Sequence, residues 1–369
     1  MSFDSVLLVA ILLALSSISS VEGGKTIRIL TQNVKFIVTV ATTISKRAKL
    51  IAESLLRKDP LYDVIAFQEV FSHALTHEGL SLLLEGLEGS YPYHVKLQPN
   101  IIPFMNYDSG LLIVSRYPIE LLEFHEYKNE SGMDAWASKG IMVAMIDAGD
   151  ESSKLIVGNT HLNAGGKSVT VRQGQILEAS NAFKRIAIPE RTAVFAVGDF
   201  NTKELDKDGT TTDSYTFLME TLSDNTIDLF RKANGIVPLG STIGHGKRLD
   251  YVFGLDKIGG RHMSASYKLL DAGVDNFTVD ENLSDHRGAY AVIELSNATN
   301  SGKSSSLKKD IRTKSTLSNN GDVELAYTPN FFLLTITSVL FFVLVRRLLA
   351  RCLSGTKKCE KSGVARKVN

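Results

Sequence analysis

Six polar clusters punctuate the stretch from Lys25 to Ser296, each read as following an apolar, strand-like run. They are Gln32-Asn33, Gln68-Glu69, Asn159-Thr160-His161, Asp199 with Asn201, Asp250, and Ser284-Asp285-His286. A strand that carries a carboxylate, amide or imidazole at its end is costly to bury unless that group finds a partner. One arrangement satisfies all six: strand ends gathered on one rim of a sheet, with their polar groups in a common cleft. Taken singly, any of them is also consistent with an ordinary loop. At Val197-Gly198-Asp199-Phe200-Asn201 the two readings are evenly balanced. Strand alternation puts Asp199 and Asn201 on one face, which suits a metal-bound phosphate, while a capping Asp suits a plain loop start.

The runs between the clusters alternate in period. Thr26 to Thr31, Asp63 to Phe67, Leu111 to Val114, Gly140 to Ile146, Leu155 to Gly158, Thr192 to Val197, Leu249 to Phe253 and Ala289 to Leu295 read as strands. Ile44, Ala48, Ile51 and Leu55 recur at helical spacing, as do Leu75, Leu82 and Leu83 within Ser72 to Leu87. Val169 to Ile186 is a longer helical stretch. Strands alternating with helices predict an α/β domain over residues 24–297. No internal repeat is present.

Flanking segments set expectations about compartment. Val6 to Leu15 has the length of a signal-peptide apolar region, and Val21-Glu22-Gly23 offers a cleavage site, so 1–23 reads as a signal peptide. Residues 298–326 are rich in Ser, Asn, Lys and Asp and read as a polar stalk. Tyr327 to Val345 is 19 residues without a charge, followed by Arg346-Arg347, which predicts a single transmembrane helix with a cytoplasmic exit. The tail 346–369 carries a net charge of +7, so the formal +1 of the whole chain hides a body at −6. An acidic body gives electrostatic attraction to nucleic acid no support. The only cysteines, Cys352 and Cys359, lie in the tail, so the body is expected to hold together without a disulfide. Sequons at Asn129, Asn276, Asn282 and Asn297 agree with a secretory route. The expected topology is a single-pass membrane protein of the secretory pathway or cell surface, with a luminal or extracellular body.

Carboxylates and amide oxygens suit a hard divalent cation, and sparse Cys with no close His pair in the clusters argues against structural zinc. Several other motifs carry less. Gly165-Gly166-Lys167-Ser168 lacks the first glycine of a P-loop, since that position is His161. His73 and His77 share a helical spacing without the metalloprotease Glu, and read as a solvated face. Met133 and Trp136 fit either packing or lipid contact.

In order along the chain, Thr31-Gln32-Asn33, Gln68-Glu69, Ser109-Gly110-Leu111-Leu112-Ile113, Thr160-His161-Leu162, Gly198-Asp199-Phe200-Asn201, Leu249-Asp250-Tyr251 and Ser284-Asp285-His286 resemble the endonuclease/exonuclease/phosphatase superfamily. The resemblance covers roughly Lys25 to Leu295 and implies a four-layer α/β/β/α sandwich of the DNase I type. Ser138-Lys139-Gly140 and the strand after it resemble a segment of neutral sphingomyelinases, although a strand opened by a Gly turn accounts for it equally well.

The resemblance implies roles residue by residue. Glu69 would be the principal Mg²⁺ ligand (Mn²⁺ being the alternative ion), with Asn33 close by and Asp285 as a further ligand or outer group. Asp199 and Asn201 would lie at the phosphate, and His161 would donate to developing charge. His286 would be the general base, oriented by Asp250. Asp108 and Lys139 would complete the substrate-binding side. The implied substrate is a membrane phospholipid, sphingomyelin, cleaved to ceramide and phosphocholine. The rivals are a DNase I-like nuclease or phosphatase, hydrolysis of other choline phospholipids, and a non-enzymatic ectodomain that keeps the scaffold.

Overall fold

Aliphatic runs give two parallel strands, β1 (Thr26–Phe36) and β2 (Val64–Val70), paired with Leu30 opposite Ile65 and Asn33 opposite Gln68. Helix α1 (Ala41–Leu56) is the crossover between them. Its Ile44, Ala48, Ile51 and Leu55 are buried, as their helical spacing predicts. The computed structural model describes residues 24–295, apart from 38–40, 73–76, 98–107, 133, 135–136, 150–152, 167, 190–191, 237–239, 245, 264–266 and 281. The expected signal peptide, stalk, 327–345 span, basic tail, Asn297, Cys352, Cys359, His73, Leu75, Met133, Trp136 and Lys167 lie outside the described residues, as does the side chain of His77. Among the described residues, no helix is long and apolar enough to cross a membrane.

Beyond β2 come α2 (His77–Leu87), β3 (Tyr93–Val95), β4 (Leu112–Ser115), β5 (Ile119–Glu126), β6 (Gly140–Asp147) and β7 (Lys154–His161). Then follow α3 (Val169–Arg185), β8 (Ala193–Asp199), α4 (Asp213–Thr221), β9 (Asn225–Asp228), α5 (Leu229–Asn234) and β10 (Asp250–Ile258). The domain closes with β11 (Arg261–His262), β12 (Tyr267–Asp275), α6 (Phe277–Asp280) and β13 (Gly288–Leu295). One sheet has the order β12-β13-β1-β2-β4-β3, and the other β11-β10-β8-β7-β6-β5 with β9 paired to β10.

Three apolar clusters define the layers. Between the sheets, Ile27, Ile29, Val64 and Ile293 of one meet Met142, Val157, Phe195 and Val252 of the other. Outside the first sheet, α1 and α2 contribute Ile44, Ala48, Ile51, Leu83 and Leu87. Outside the second, α3 and α4 contribute Ile176, Ala179, Phe183 and Leu218. The architecture is therefore an α/β/β/α sandwich, with its core held without a disulfide. Asn129, Asn276 and Asn282 are all exposed.

The strands run further into the polar clusters than apolar periodicity predicts. Asn33 and Glu69 lie inside β1 and β2, and His161 closes β7 opposite Asp199 in β8. Backbone pairing carries the ladder through, because a neighbouring strand satisfies the N–H and C=O groups whatever the side chain. At β8 the close approach is extreme. Gly198 has φ 143°, and a Cβ there would stand 1.9 Å from the Thr160 carbonyl oxygen. Gly198→Ala is expected to destabilise the domain by about 2–4 kcal/mol, read as a lowered urea midpoint with unchanged slope.

Candidate active site

The cleft is built where strand directions agree. β1 and β2 run in parallel, as do β7 and β8, while β10 and β13 run antiparallel to β8 and β1. Asn33 and Glu69 thus come from the C-terminal halves of β1 and β2, and His161 and Asp199 from the ends of β7 and β8, whereas Asp250 opens β10 opposite Asp199 and His286 precedes β13. Beneath them two buried amides join the sheets. Gln68 Nε2 donates to Asn159 Oδ1 at 2.7 Å, and Asn159 Nδ2 donates to the carbonyls of Phe67 and Leu112 at 2.9 and 3.2 Å. Gln68 Nε2 also reaches Thr31 Oγ1 at 2.9 Å. These amides stood among the six polar clusters, but strand-end polarity alone did not distinguish a bridge from a ligand.

Glu69 adopts φ 57°, a left-handed conformation that costs a side-chain-bearing residue about 1–3 kcal/mol. Asn33 Nδ2 donates to Glu69 Oε1 at 2.9 Å and to Asp199 Oδ2 at 3.2 Å. Its Oδ1 accepts from the Lys35 backbone N–H at 3.1 Å. Asn33 therefore meets the carboxylates through its nitrogen and bridges them, unlike the oxygen ligand expected of it. Asn201 also departs from simple alternation, because β8 ends at Asp199 and Asn201 has φ 46°. A turn brings it back: its N–H donates to Asp199 Oδ1 at 2.9 Å, and its Nδ2 donates to the Leu162 carbonyl at 3.0 Å.

His286 Nδ1 lies 2.9 Å from Asp250 Oδ2, and its Nε2 lies 3.8 Å from Asp199 Oδ2. Thr242 Oγ1 accepts from the Asp250 N–H at 3.2 Å and from the Leu249 N–H at 3.0 Å, fixing the start of β10. Burial alone would lower the His286 pKa, but Asp250, Asp199 and Asp285 lift it to about 10. Burial, followed by Asp250, pushes Asp199 up to about 7. The imidazole is thus far from the neutral range expected of an unshifted histidine. The carboxylates on either side of His286 thus favour its charged form.

His161 is the opposite case. Burial, then Lys139 and His286, drive its pKa well below the ordinary value. Lys139, only 1 % exposed, places Nζ 3.2 Å from His161 Nε2, 3.0 Å from the Leu162 carbonyl and 3.0 Å from Asp134 Oδ1. An ammonium only donates, so Nε2 accepts and the ring proton sits on Nδ1. In that tautomer the Nδ1 of His161 is buried without a hydrogen-bond partner. Nε2 stands 3.9 Å from Glu69 Oε1 and 3.6 Å from Asp199 Oδ2.

Two expected members are held elsewhere. Asp285 pairs with Lys35 and is half-exposed, its carboxyl held below the ordinary value by Lys35 and His286 against the effect of burial. Asp108 is buried, with Oδ1 accepting from Gly110 N–H and Oδ2 engaged by Ser72 and Lys96. Lys96 and Ser72 had not been singled out from sequence.

The donor set fits a hard divalent cation. Glu69, Asp199 and Asp250 crowd one cleft, and Asp250 Oδ1 is buried without a hydrogen-bond partner. Asp199, Asp250 and His286 present ligand atoms within 4.8 Å of one another. Because His286 Nδ1 already engages Asp250, oxygen donation from Glu69 and Asp199 suits Mg²⁺ better than this mixed trio.

A sequence model described as the Endonuclease/Exonuclease/phosphatase family matches residues 30–286. A Staphylococcus aureus "Phospholipase C" is 28 % identical over 173 residues, which is 42 % of this chain and 50 % of that protein. Human "Sphingomyelin phosphodiesterase 3" is 32 % identical over 159 residues, 38 % of this chain and 24 % of that protein. The chain thus spans half or less of the length of these two relatives. A crystal structure of a beta toxin variant from Staphylococcus aureus with bound magnesium ions superposes with a TM-score of 0.53 at 21 % identity, covering 72 % of this chain and 99 % of that one. At that identity the likeness is one of fold.

Two outcomes are expected. Asn159→Leu leaves the Phe67 and Leu112 carbonyls and the Gln68 amide without their buried partner. It should cost about 2–4 kcal/mol, measured by urea unfolding. The second concerns pH in EDTA. Folding raises both His286 and Asp199, so each stabilises fully below its ordinary value of 6.5 or 3.8 and loses that contribution as pH rises through about 10 or about 7. Metal-free stability should fall from neutral pH to pH 10, and His286→Ala should flatten the alkaline part of that decline.

Proposed function

The chain belongs to the endonuclease/exonuclease/phosphatase family, and from that premise we propose that it is a Mg²⁺-dependent, phospholipase C-type hydrolase of sphingomyelin. The observation that carries the substrate class is Lys139, whose segment resembles neutral sphingomyelinases and whose ammonium lies beside His161 in the cleft. The relatives named for phospholipase C and sphingomyelin phosphodiesterase activity support the same reading. So does the 19-residue apolar segment 327–345 with its basic exit, which would tether the body at a bilayer. On this proposal the body is luminal or extracellular and the tail is cytoplasmic.

Each residue has a task that its surroundings suit. Glu69 and Asp199 would hold the cation, Asn201 would donate to a phosphoryl oxygen, and Lys139 would add positive charge beside it. Water attacks phosphorus in line with the departing ceramide oxygen. Its proton passes to Nε2 of His286, neutral once a bound cation has offset the carboxylate field, with Asp250 fixing the imidazole through Nδ1. The P–O bond to ceramide breaks, that oxygen takes up a proton from solvent water as His286 returns its own to solvent, and phosphocholine is the other product. When bound, the cation supplies positive charge to the phosphoryl oxygens and offsets the carboxylate field that keeps His286 protonated.

A nuclease on the same scaffold is the rival, and the acidic body gives it no electrostatic support. The full-length protein should be assayed against sphingomyelin, lysophospholipid and supercoiled plasmid, with Mg²⁺ and with EDTA. Phosphocholine release from sphingomyelin, abolished by EDTA, is the expected result. Glu69→Gln and His286→Ala should each lower it by about 10²–10⁴ while circular dichroism stays unchanged. Plasmid nicking without lipid turnover would replace the sphingomyelinase reading with the nuclease one.

A further inference from the structure

Glu69 is held from both sides. Its N-terminal neighbour Gln68 is fixed in the β1–β2 ladder opposite Asn33 and by the hydrogen bond its Nε2 donates to Asn159 Oδ1. On the C-terminal side, Val70 N–H donates to the Gly110 carbonyl at 2.9 Å. The carboxylate of Asp108 then gathers the segment beyond. Oδ2 accepts from the Ser72 N–H at 3.1 Å and from the Ser72 hydroxyl, and Oδ1 accepts from the Gly110 N–H at 2.8 Å. Lys96 Nζ lies 2.9 Å from Oδ2, with the two side chains 7 % and 2 % exposed. Gly110, at φ 66°, lets the Phe71 ring pack where a Cβ would stand 2.7 Å from it. The left-handed Glu69 is thus the one residue between two anchored segments, Gln68 on one side and Val70 to Ser72 on the other.

We propose that Asp108 is a positioning residue for Glu69, clamping residues 70–72 so that the Glu69 carboxylate stays beside Asn33 and faces the cation. The inference rests on the reading of Glu69 as the principal metal-holding group. Loosening the clamp frees Glu69 to relax to an ordinary negative φ, which redirects its side chain without removing any group from the cleft. Asp108 therefore acts on metal affinity through the backbone. It is not itself a ligand or a substrate contact.

The test is Mg²⁺ titration of the full-length protein in detergent micelles by calorimetry, with the Mg²⁺ dependence of turnover measured in parallel. Asp108→Asn should weaken Mg²⁺ binding about 10–100-fold, the range typical of groups that orient a metal ligand from outside. Ser72→Ala, which removes one donor and keeps the buried Lys96–Asp108 pair, should weaken it several-fold. Saturating Mg²⁺ should restore most of the turnover in both, which a purely structural defect would not allow. Ser72→Ala decides the question if Asp108→Asn fails to fold. Wild-type Mg²⁺ affinity in the folded variants would overturn the clamp alone. Failure of the wild-type protein to bind Mg²⁺ would overturn the clamp together with the metal reading of Glu69.

Discussion

The contact between Gln68 and Asn159 sets the geometry of everything above it. Two stacked sheets joined only by aliphatic side chains have little to fix their relative register, because apolar packing is non-directional. Hydrogen bonds are directional, and in a dry interior an amide that loses its partner carries its full desolvation cost. Asn159 therefore selects the one alignment in which it reaches the Phe67 and Leu112 carbonyls and the Gln68 amide together. Glu69 follows Gln68 by one residue and His161 follows Asn159 by two, so the bridge aligns the two walls of the cleft.

How much of this was legible in the sequence depends on the length scale over which each residue acts. The α/β class, the paths of β1, β2, β6, β7, β8 and α3, and the residues at the strand ends follow from periodicity, a local property. β12 was missed because its faces are mixed: Leu270 is exposed, Ala272 is buried, and its register shifts between Leu269 and Asp271. Asn201 was placed beside Asp199 by strand alternation, whereas a turn at φ 46° achieves the proximity. Asp108 looked like one more cleft carboxylate because its partners lie far away in sequence, Ser72 at a separation of 36. Lys96 gave no signal at all, since a buried lysine reads like any other until its acid is known.

The histidines show the same limit in electrostatic form. His161 and His286 have the same side chain and the same ordinary pKa, yet their environments drive them in opposite directions. Burial acts on both to favour the neutral ring. What separates them is the balance of neighbours: Lys139 and His286 weigh on His161, whereas Asp250, Asp199 and Asp285 weigh on His286. A one-dimensional motif specifies which residues meet, whereas protonation is decided by the sign of charge brought up from other strands.

The distribution of buried charge separates this cleft from a second charged cluster nearby. Arg248 stands two residues before Asp250, but its guanidinium is taken up by Glu204 and by both oxygens of Asp228. Arg231 also meets Glu204, and the Tyr215 hydroxyl donates to Asp228 at 2.5 Å. That group balances two cations against two anions. Tyr251 locks it in place, its hydroxyl donating to the Thr202 and Arg248 carbonyls. The Arg248 charge is thus committed away from Asp250. In the cleft, the His286 ring stands between Asp250 and Asp199, while Lys139 has Asp134 and Lys35 has Asp285 as ion-pair partners. A neutral cluster stabilises the strand that presents Asp250, and the Asp199–Asp250–His286 group beside it offers ligand atoms that could hold a metal ion. The segregation of those two clusters across the single residue Leu249 lets one strand start serve structure and chemistry together.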